Sequence, residues 1–225
     1  MYETDVLLLL EDLFTKNDYA LLAGGSMMYI DAVCKGLDDI PTVNEDVRAL
    51  YKQRLEDEGL PKLLEELKEL DPEHYEIVDK NNPRRVVHAL EICYQTGCTF
   101  TSFRTSAQKE RPFHIVKIGL NRPREEMYER INARVLKMVD DGIVEEARSV
   151  YKFNGLNSLN TVGYKEMFAY FDHLIPLEEA IRQIQSNTRR YMRKQLTWFK
   201  KDESIKWFNP EEKDKIMDFI DSQRD

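Results

Sequence analysis

The pattern of apolar and polar positions predicts a mainly helical chain with a few short strands. Residues 3–15 have a helical pattern, and the short apolar run DYALLA (18–23) predicts a strand. The turn GGS (24–26) then leads into a second helix, MMYIDAVCKG (27–36). Strand, glycine turn and helix in this order are the basic unit of an α/β sheet.

Sheet-like sequence stops near position 40 and returns after position 112. Between these points the pattern predicts four successive helices, at 44–59, 60–70, 71–79 and 82–97. Prolines at first-turn positions and glycines at the predicted ends support these bounds.

The rest of the chain alternates again between helices and strands. Strands are predicted at 113–120 (FHIVKIGL) and 204–208 (SIKWF), with a long helix at 177–201. The helix after the first of these strands carries apolar residues at helical spacing, namely Met127, Ile131, Val135 and Met138.

These patterns together predict an α/β fold that is predominantly helical. Residues 1–39 and 113–225 are expected to form the core, and 40–112 an all-helical insertion domain. A hydrophobic content of 42% is enough to bury a core, and only nine glycines and eight prolines argue against a β-sandwich.

Composition also bears on location and metal chemistry. No apolar run reaches the roughly 18 residues of a membrane span, and the first residues carry acids with no Lys or Arg, unlike a signal peptide. We therefore expect a cytoplasmic protein. The three cysteines and four histidines lack zinc-ligand spacing, so reduced thiols are expected and these residues predict no metal site.

Charge is distributed unevenly along the chain. The net charge is −8, yet residues 180–201 hold seven basic residues and no acid, so the remaining residues sum to −15. Aromatic side chains lie among the cations of RRYMRKQLTWFKK (189–201). A basic, aromatic helix on an acidic body is typical of a polyanion-binding surface, and RNA is favoured because no DNA-reading motif appears.

Two stretches, one with a glycine pair and one with a proline, are further candidate binding sites. AGGSMMY places Ser26 where a strand opens into a helix whose free N–H groups attract an anion, although a purely structural glycine turn is the alternative. NNPRRVVH places Arg84, Arg85 and His88 in the first turns of a helix, where basic groups oppose the helix dipole. They indicate either a phosphate contact or a solvated basic patch.

Two later stretches also carry candidate contacts. In YERINARVLK, Arg130, Arg134 and Lys137 form a stripe that fits a diphosphate or a nucleic-acid strand, and salt bridges to neighbouring glutamates are the alternative. NTVGYK is either a contact turn or an ordinary capped helix. Its candidate residues are Asn160, Thr161, Gly163 and Tyr164.

Six stretches, in this order along the chain, resemble the tRNA dimethylallyltransferase family, also called tRNA isopentenyltransferases. They are LLAGGSMMYIDAVCKGL (21–37), NEDVR (44–48), LDPEHYEIVDKNNPRRVVHALEICYQTG (70–97), ERINARVLKMVDDGIVEEARSV (129–150), LNTVGYKEMFAYF (159–171) and TRRYMRKQLTWFKK (188–201). One such stretch alone is a weak signal, whereas six in order cover nearly the whole chain.

The resemblance implies a fold, a reaction and partners. The implied fold is a P-loop-type α/β core with a helical insertion domain. Members transfer the dimethylallyl group of dimethylallyl diphosphate to the exocyclic amine of an adenosine, with a magnesium ion. That adenosine lies 3′ to the anticodon of tRNAs reading codons that begin with U. The implied partners are therefore the tRNA anticodon stem-loop and dimethylallyl diphosphate, and we expect a monomer.

The resemblance also assigns roles to particular residues. Arg134, with Arg130 beside it, is implied to bind the prenyl diphosphate, and arginine there would neutralise charge on the leaving group. Ser26 is the second catalytic candidate. The positions implied to contact tRNA are Ser26, Arg48, Arg84, Arg85, His88, Asn160, Thr161, Gly163, Tyr164, Lys165, Arg193, Lys194, Gln195, Trp198 and Lys200.

The sequence departs from the family pattern in several places. Asn82, His88 and Lys165 stand where Asp, Arg and Arg are common in the family. These differences affect the expected strength of the contacts more than the resemblance to the family. Neither the G-P-T-x-S-G-K-[ST] loop that cradles the diphosphate nor the D-S-x-Q segment with the general-base Asp occurs. We therefore expect an N-terminally truncated, inactive piece of the enzyme.

Two alternatives remain open at this point. One is a non-catalytic RNA-binding module that has lost its chemistry. The other is an enzyme that prenylates free adenine nucleotides. The helical insertion domain and the long basic helix argue against it, because binding a mononucleotide requires neither.

Overall fold

The computed structural model describes residues 2–105 and 107–223, and most of them are helical. The helices are α1 (Tyr2–Phe14), α2 (Met27–Cys34), α3 (Glu45–Leu70), α4 (Pro72–Ile77), α5 (Pro83–Thr96), α6 (Phe100–Phe103), α7 (Arg124–Asp140), α8 (Ile143–Val150), α9 (Tyr164–Phe171), α10 (Leu177–Phe199) and α11 (Lys213–Asp221). The strands are β1 (Ile118–Leu120) and β2 (Lys206–Phe208), and two short 3-10 turns cover Tyr151–Phe153 and Asn157–Leu159.

The chain divides into two compact units. The first, which we call the helical unit, comprises Met1–Leu22 and Met28–Pro112. The second, the mixed unit, comprises Ala23–Met27 and Phe113–Asp225. Residues 2–22 and 28–39, which the sequence assigned to the core, therefore pack in the same unit as the four predicted helices. The assignment of the units to a core and an insertion domain stays a prediction.

The helical unit is built around α3 and α5. Its core contains fully buried Tyr51, Leu63, Leu67 and Leu90. The separate helices predicted at 44–59 and 60–70 are both present, because α3 consists of two helical segments joined by a bend at Gly59, whose backbone is not helical. The bend arises because Gly59 adopts φ 78°, a left-handed conformation that costs glycine little.

A buried carboxylate joins α4 to α6. Asp71 caps α4 by accepting a hydrogen bond from the His74 backbone N–H at 3.0 Å, and it also accepts from the Thr101 N–H at 2.7 Å and hydroxyl at 2.8 Å. Burial by itself would raise the pKa of Asp71, but these hydrogen bonds lower it below its ordinary value. The carboxylate is thus kept charged inside the unit.

His74 is expected to make the stability of the helical unit pH-dependent. Its ring is 5% exposed and its Nδ1 has no hydrogen-bond partner among the described residues. Burial lowers the pKa of His74, the Asp71 charge partly opposes this, and Arg104 and His88 lower the pKa further. The unfolded chain therefore binds a proton more readily than the folded one, so the stabilisation is complete above about pH 6.5 and declines as pH falls below it.

We expect the free energy of unfolding to fall between pH 7.5 and pH 5 in the unchanged chain, and to fall less in His74→Gln. Denaturant titrations at several pH values measure this difference. The exposed His114 provides a matched control, since His114→Gln should retain the full pH dependence. Equal slopes for His74→Gln and His114→Gln would contradict the assignment.

In the mixed unit, a small parallel sheet accompanies packed helices. Strands β1 and β2 pair in parallel, with Gly119 opposite Trp207. A Cβ at Gly119 would lie 2.5 Å from the Trp207 ring, so only glycine fits there. Helices α7, α9 and α10 enclose a core that includes Val135, Met167 and Ile184. The predicted α/β, predominantly helical fold class is confirmed.

The predicted strands are only partly present. Of 113–120 and 204–208, three residues each form strand, at Ile118–Leu120 and Lys206–Phe208. The predicted strand at 18–23 is wrong, because this segment has no regular structure and Leu21 is 93% exposed. An apolar run becomes a strand only where another strand satisfies its backbone groups, and neither described strand, β1 or β2, pairs with this segment.

Candidate nucleic-acid interface

Helix α10 separates an apolar face from a basic face. Ala180, Ile184 and Met192 are buried toward the neighbouring helices, and the basic residues of the last turns point outward. Five of these cations are exposed and form no ion pair with a described carboxylate, namely Arg190, Arg193, Lys194, Lys200 and Lys201. By contrast, Arg182 at the start of the helix pairs with Glu179 at 2.7 Å.

A tyrosine of α7 gathers arginines from both helices. The Tyr128 hydroxyl oxygen accepts hydrogen bonds from Arg124 Nε and from an Arg193 terminal nitrogen, each at 2.8 Å. The Arg189 guanidinium lies 5.7 Å from the centre of the Tyr128 ring, and Arg189 also donates to the side-chain oxygen of Asn132. The two donated hydrogen bonds lower the pKa of Tyr128. Three cations therefore surround one neutral ring.

A cavity of about 490 Å³ opens beside this cluster. Its lining combines apolar side chains with cations and consists of Asn121, Arg122, Pro123, Arg124, Met127, Met192, Arg193, Leu196, Thr197 and Lys200. Arg122 is neutralised by Glu126 at 2.7 Å and Glu211 at 2.9 Å. Arg124, Arg193 and Lys200 have no described carboxylate partner, so the cavity wall is positively charged.

The glycine turn lies against α10. Gln195 Nε2 donates to the Gly25 carbonyl oxygen at 2.6 Å. A Cβ at Gly25 would collide with the same Nε2, so a larger residue there would displace the end of the Gln195 side chain. Partly buried Ser26 follows directly in the chain. Gln195, predicted as a tRNA contact, thus holds the turn that carries Ser26.

The V-G-Y turn is fixed to α10 through a buried carboxylate. Glu166 is 3% exposed; it accepts from the Gly163 N–H at 2.8 Å and from Asn187 Nδ2 at 2.7 Å. The Tyr164 hydroxyl donates to Glu146. The other candidates of this turn, Asn160, Thr161 and Lys165, are exposed.

The candidate diphosphate residues lie on an exposed face of α7. Arg130 and Arg134 are exposed, and neither forms an ion pair with a described carboxylate. The alternative of salt bridges to neighbouring glutamates holds for none of the three described cations, and Lys137 pairs instead with Asp141 at 2.8 Å. Two of the three cations of this stripe are thus available to an anion.

The remaining candidates lie in the helical unit. Arg48, Arg84 and Arg85 are exposed, and His88 faces Glu91 at 3.4 Å. Asn82 still caps α5 by accepting from the Arg85 N–H at 3.3 Å. The amide therefore fills the capping position in which the family usually has Asp.

The described residues supply no metal centre. No group of three His, Cys, Asp or Glu side chains in residues 2–105 and 107–223 is arranged to hold a metal ion. The residues present therefore do not by themselves fit the magnesium ion implied by the resemblance. Among the described helices, none is long and apolar enough to cross a membrane.

Sequence reasoning missed four residues that organise this surface. Arg124 and Tyr128 are four positions apart on α7, and Glu166 and Asn187 meet only when α9 packs on α10. The i, i+4 spacing of Arg124 and Tyr128 was a visible signal. No sequence signal pointed to the Glu166–Asn187 contact.

Comparison with known proteins identifies relatives along nearly the whole chain. The model of the family described as IPP transferase matches residues 1–202. A tRNA dimethylallyltransferase 1 of Phocaeicola vulgatus is 61% identical over 98% of this chain and 74% of the relative. One of Bacteroides fragilis is 58% identical over 97% of this chain and 73% of the relative.

Solved structures show the same likeness. The tRNA isopentenylpyrophosphate transferase of Bacillus halodurans aligns with a TM-score of 0.64 and 32% identity, covering 98% of this chain and 72% of that one. A eukaryotic dimethylallyltransferase, described as acting on tRNA, aligns with a TM-score of 0.76 at 19% identity over 99% of this chain and 62% of its own length. The latter likeness concerns the fold alone.

Proposed function

The chain belongs to the IPP transferase family, and we propose that it serves the transfer of a dimethylallyl group to an adenosine of tRNA. The observation that carries this proposal is the set of exposed cations on α10 without carboxylate partners, in a chain of net charge −8. An acidic protein keeps such a surface because a polyanion supplies the missing negative charge. The tRNA named for its relatives fits this requirement.

Residues that the structure brings around α10 are proposed to contact the anticodon stem-loop. They are Ser26, Asn160, Thr161, Gly163, Tyr164, Lys165, Arg193, Lys194, Gln195, Trp198 and Lys200. Trp198 is 41% exposed, so part of its ring can stack on a base. Gln195 and Gly163 act chiefly by holding the turns on which Ser26 and Tyr164 lie.

In the helical unit, Arg48, Arg84, Arg85 and His88 are proposed as further tRNA contacts. The three arginines are exposed, and each has no described carboxylate partner. Exposed arginines bind phosphate oxygens without reading base identity, so these contacts would add affinity rather than sequence preference.

On the exposed stripe of α7, Arg130 and Arg134 are proposed to bind the prenyl diphosphate. In the transfer, the adenosine N6 forms a bond to C1 of the dimethylallyl group while the C1–O bond to the diphosphate breaks. The N6 proton passes to a base, and the diphosphate leaves with the electron pair of the broken bond. Guanidinium groups stabilise the charge that develops on this leaving group. Magnesium, a monomeric state and the cytoplasm stay predictions.

A lysine-labelling footprint tests the RNA surface directly. With anticodon stem-loop RNA bound, acetylation of Lys194 and Lys200 should slow at least about fivefold, because phosphate contacts bury ammonium groups. Lys62 and Lys215, which are also exposed but pair with Glu58 and Glu212, are the internal controls and should be labelled at unchanged rates. Uniform protection, or none, would contradict the proposal.

An assay of prenyl transfer distinguishes an active enzyme from a non-catalytic RNA-binding module. The expectation that the 225 residues alone transfer no prenyl group stays a prediction, and an assay with labelled dimethylallyl diphosphate and the stem-loop checks it. RNA binding is expected whichever result that assay gives.

A further inference from the structure

The cluster of Arg124, Tyr128 and Arg193 carries two positive charges that no described carboxylate balances. Both guanidinium groups meet on one hydroxyl oxygen at 2.8 Å, and no described carboxylate neutralises either of them. Two cations that contact the same oxygen atom repel each other, and a neutral phenol compensates only part of this cost. An anion between the guanidinium groups would convert this repulsion into attraction.

The Tyr128 hydroxyl has a further hydrogen bond to give. Its oxygen accepts from the two arginines, and no acceptor for its own proton lies among the described residues. A phenol can donate one hydrogen bond while it accepts two. The hydroxyl proton and the two guanidinium groups are thus available to one acceptor-rich group.

The adjoining cavity supplies space and a further cation. Its wall includes Arg124, Arg193 and Lys200, and its volume of about 490 Å³ exceeds that of a phosphate group. Thr197 adds a hydroxyl to the same wall. Phosphate oxygens accept hydrogen bonds from guanidinium, ammonium and hydroxyl groups, and arginine prefers this geometry.

We propose that Arg124, Arg193 and Lys200 form a phosphate-binding site at the mouth of this cavity, with Tyr128 as the residue that positions both arginines. This inference rests on the proposed function. It extends that function by adding Arg124 and Tyr128 to the residues that the family resemblance implied. The phosphate at this site comes either from the RNA backbone or from the prenyl diphosphate. The chemistry of recognition is the same for both sources.

Arg124→Gln tests the ligand role in the full chain. If the phosphate belongs to RNA, stem-loop affinity should fall about three- to tenfold and the slope of log K against log salt should lessen by roughly 0.7 to 1. If it belongs to the diphosphate, the affinity for inorganic pyrophosphate should fall while RNA binding is unchanged. Arg182→Gln, which removes an exposed arginine paired with Glu179, is the matched control and should alter neither.

Tyr128→Phe tests the positioning role, because it removes the hydroxyl and keeps every charge. We expect about threefold weaker binding of the ligand that Arg124→Gln identifies. In a background that carries both Arg124→Gln and Arg193→Gln the same change should have a much smaller effect, since both residues to be positioned are gone. Tyr170→Phe controls for the loss of a tyrosine hydroxyl, and unfolding midpoints report any loss of folding.

Several results would overturn the inference. One is an Arg124→Gln chain that folds and binds RNA and pyrophosphate like the unchanged chain. Another is a Tyr128→Phe effect that simply adds to that of the Arg124→Gln, Arg193→Gln double change. If the unchanged chain bound no RNA at all, the proposed function would fail instead, so the two failures are distinguishable.

Discussion

Reversing the charges of Arg193 and Lys194 together is expected to weaken binding of an anticodon stem-loop RNA by about 100-fold or more. Both side chains are exposed on the basic face of α10. The double change removes two phosphate contacts and places two anions against the RNA backbone. A 100-fold loss corresponds to about 2.8 kcal/mol, which is moderate for two reversed contacts.

The control for this experiment reverses an equal amount of charge elsewhere in the mixed unit. Arg182→Glu with Lys215→Glu changes the net charge by the same amount, and both side chains are 72% exposed and already paired with acids. If only the total charge mattered, the two double variants would bind equally weakly. We expect the control to bind within about fivefold of the unchanged chain, because exposed charges far from the ligand are screened by salt.

The charge reversal should leave the fold intact. Arg193 donates to Tyr128 at the surface, and Lys194 forms no ion pair with a described carboxylate, so neither residue supports the buried core. Fluorescence anisotropy gives the affinity and thermal unfolding gives the stability. A folded variant with unchanged affinity would exclude α10 as the RNA contact.

The basic surface could be predicted because its signal is local in sequence. Seven cations without an acid in residues 180–201 remain a positive surface in any helical arrangement. The apolar spacing on α7 likewise predicted the face that packs in the core, which includes Val135. Helices depend mainly on nearby residues, so their existence and approximate bounds followed from the pattern.

The sequence-based predictions failed where a structural feature depends on contacts between residues that are distant in the sequence. The run DYALLA has the apolar composition of a strand, but no strand among the described residues pairs with it and it stays irregular. Tyr128 became a candidate only when α7 packed beside α10 and brought Arg193 to its hydroxyl. Glu166 looked like a surface acid in the sequence, whereas Gly163 and Asn187 hold it in the interior. Such roles are set by tertiary packing.

The salt dependence of RNA binding by the unchanged chain has the second large expected effect. Phosphate contacts release condensed counterions, and for single strands log K falls with log salt by roughly 0.7 per contact. If Arg190, Arg193, Lys194 and Lys200 each neutralise one phosphate, the slope is about −2.8. Affinity should then fall about 50-fold between about 50 and about 200 mM salt.

This titration is also the most direct measurement of the central claim that α10 holds an RNA phosphate backbone. The account predicts a slope near −3 for the stem-loop, and a slope reduced toward half that value when Arg193 and Lys194 are reversed. An affinity that hardly changes with salt, or a slope that the charge reversal leaves intact, would contradict it.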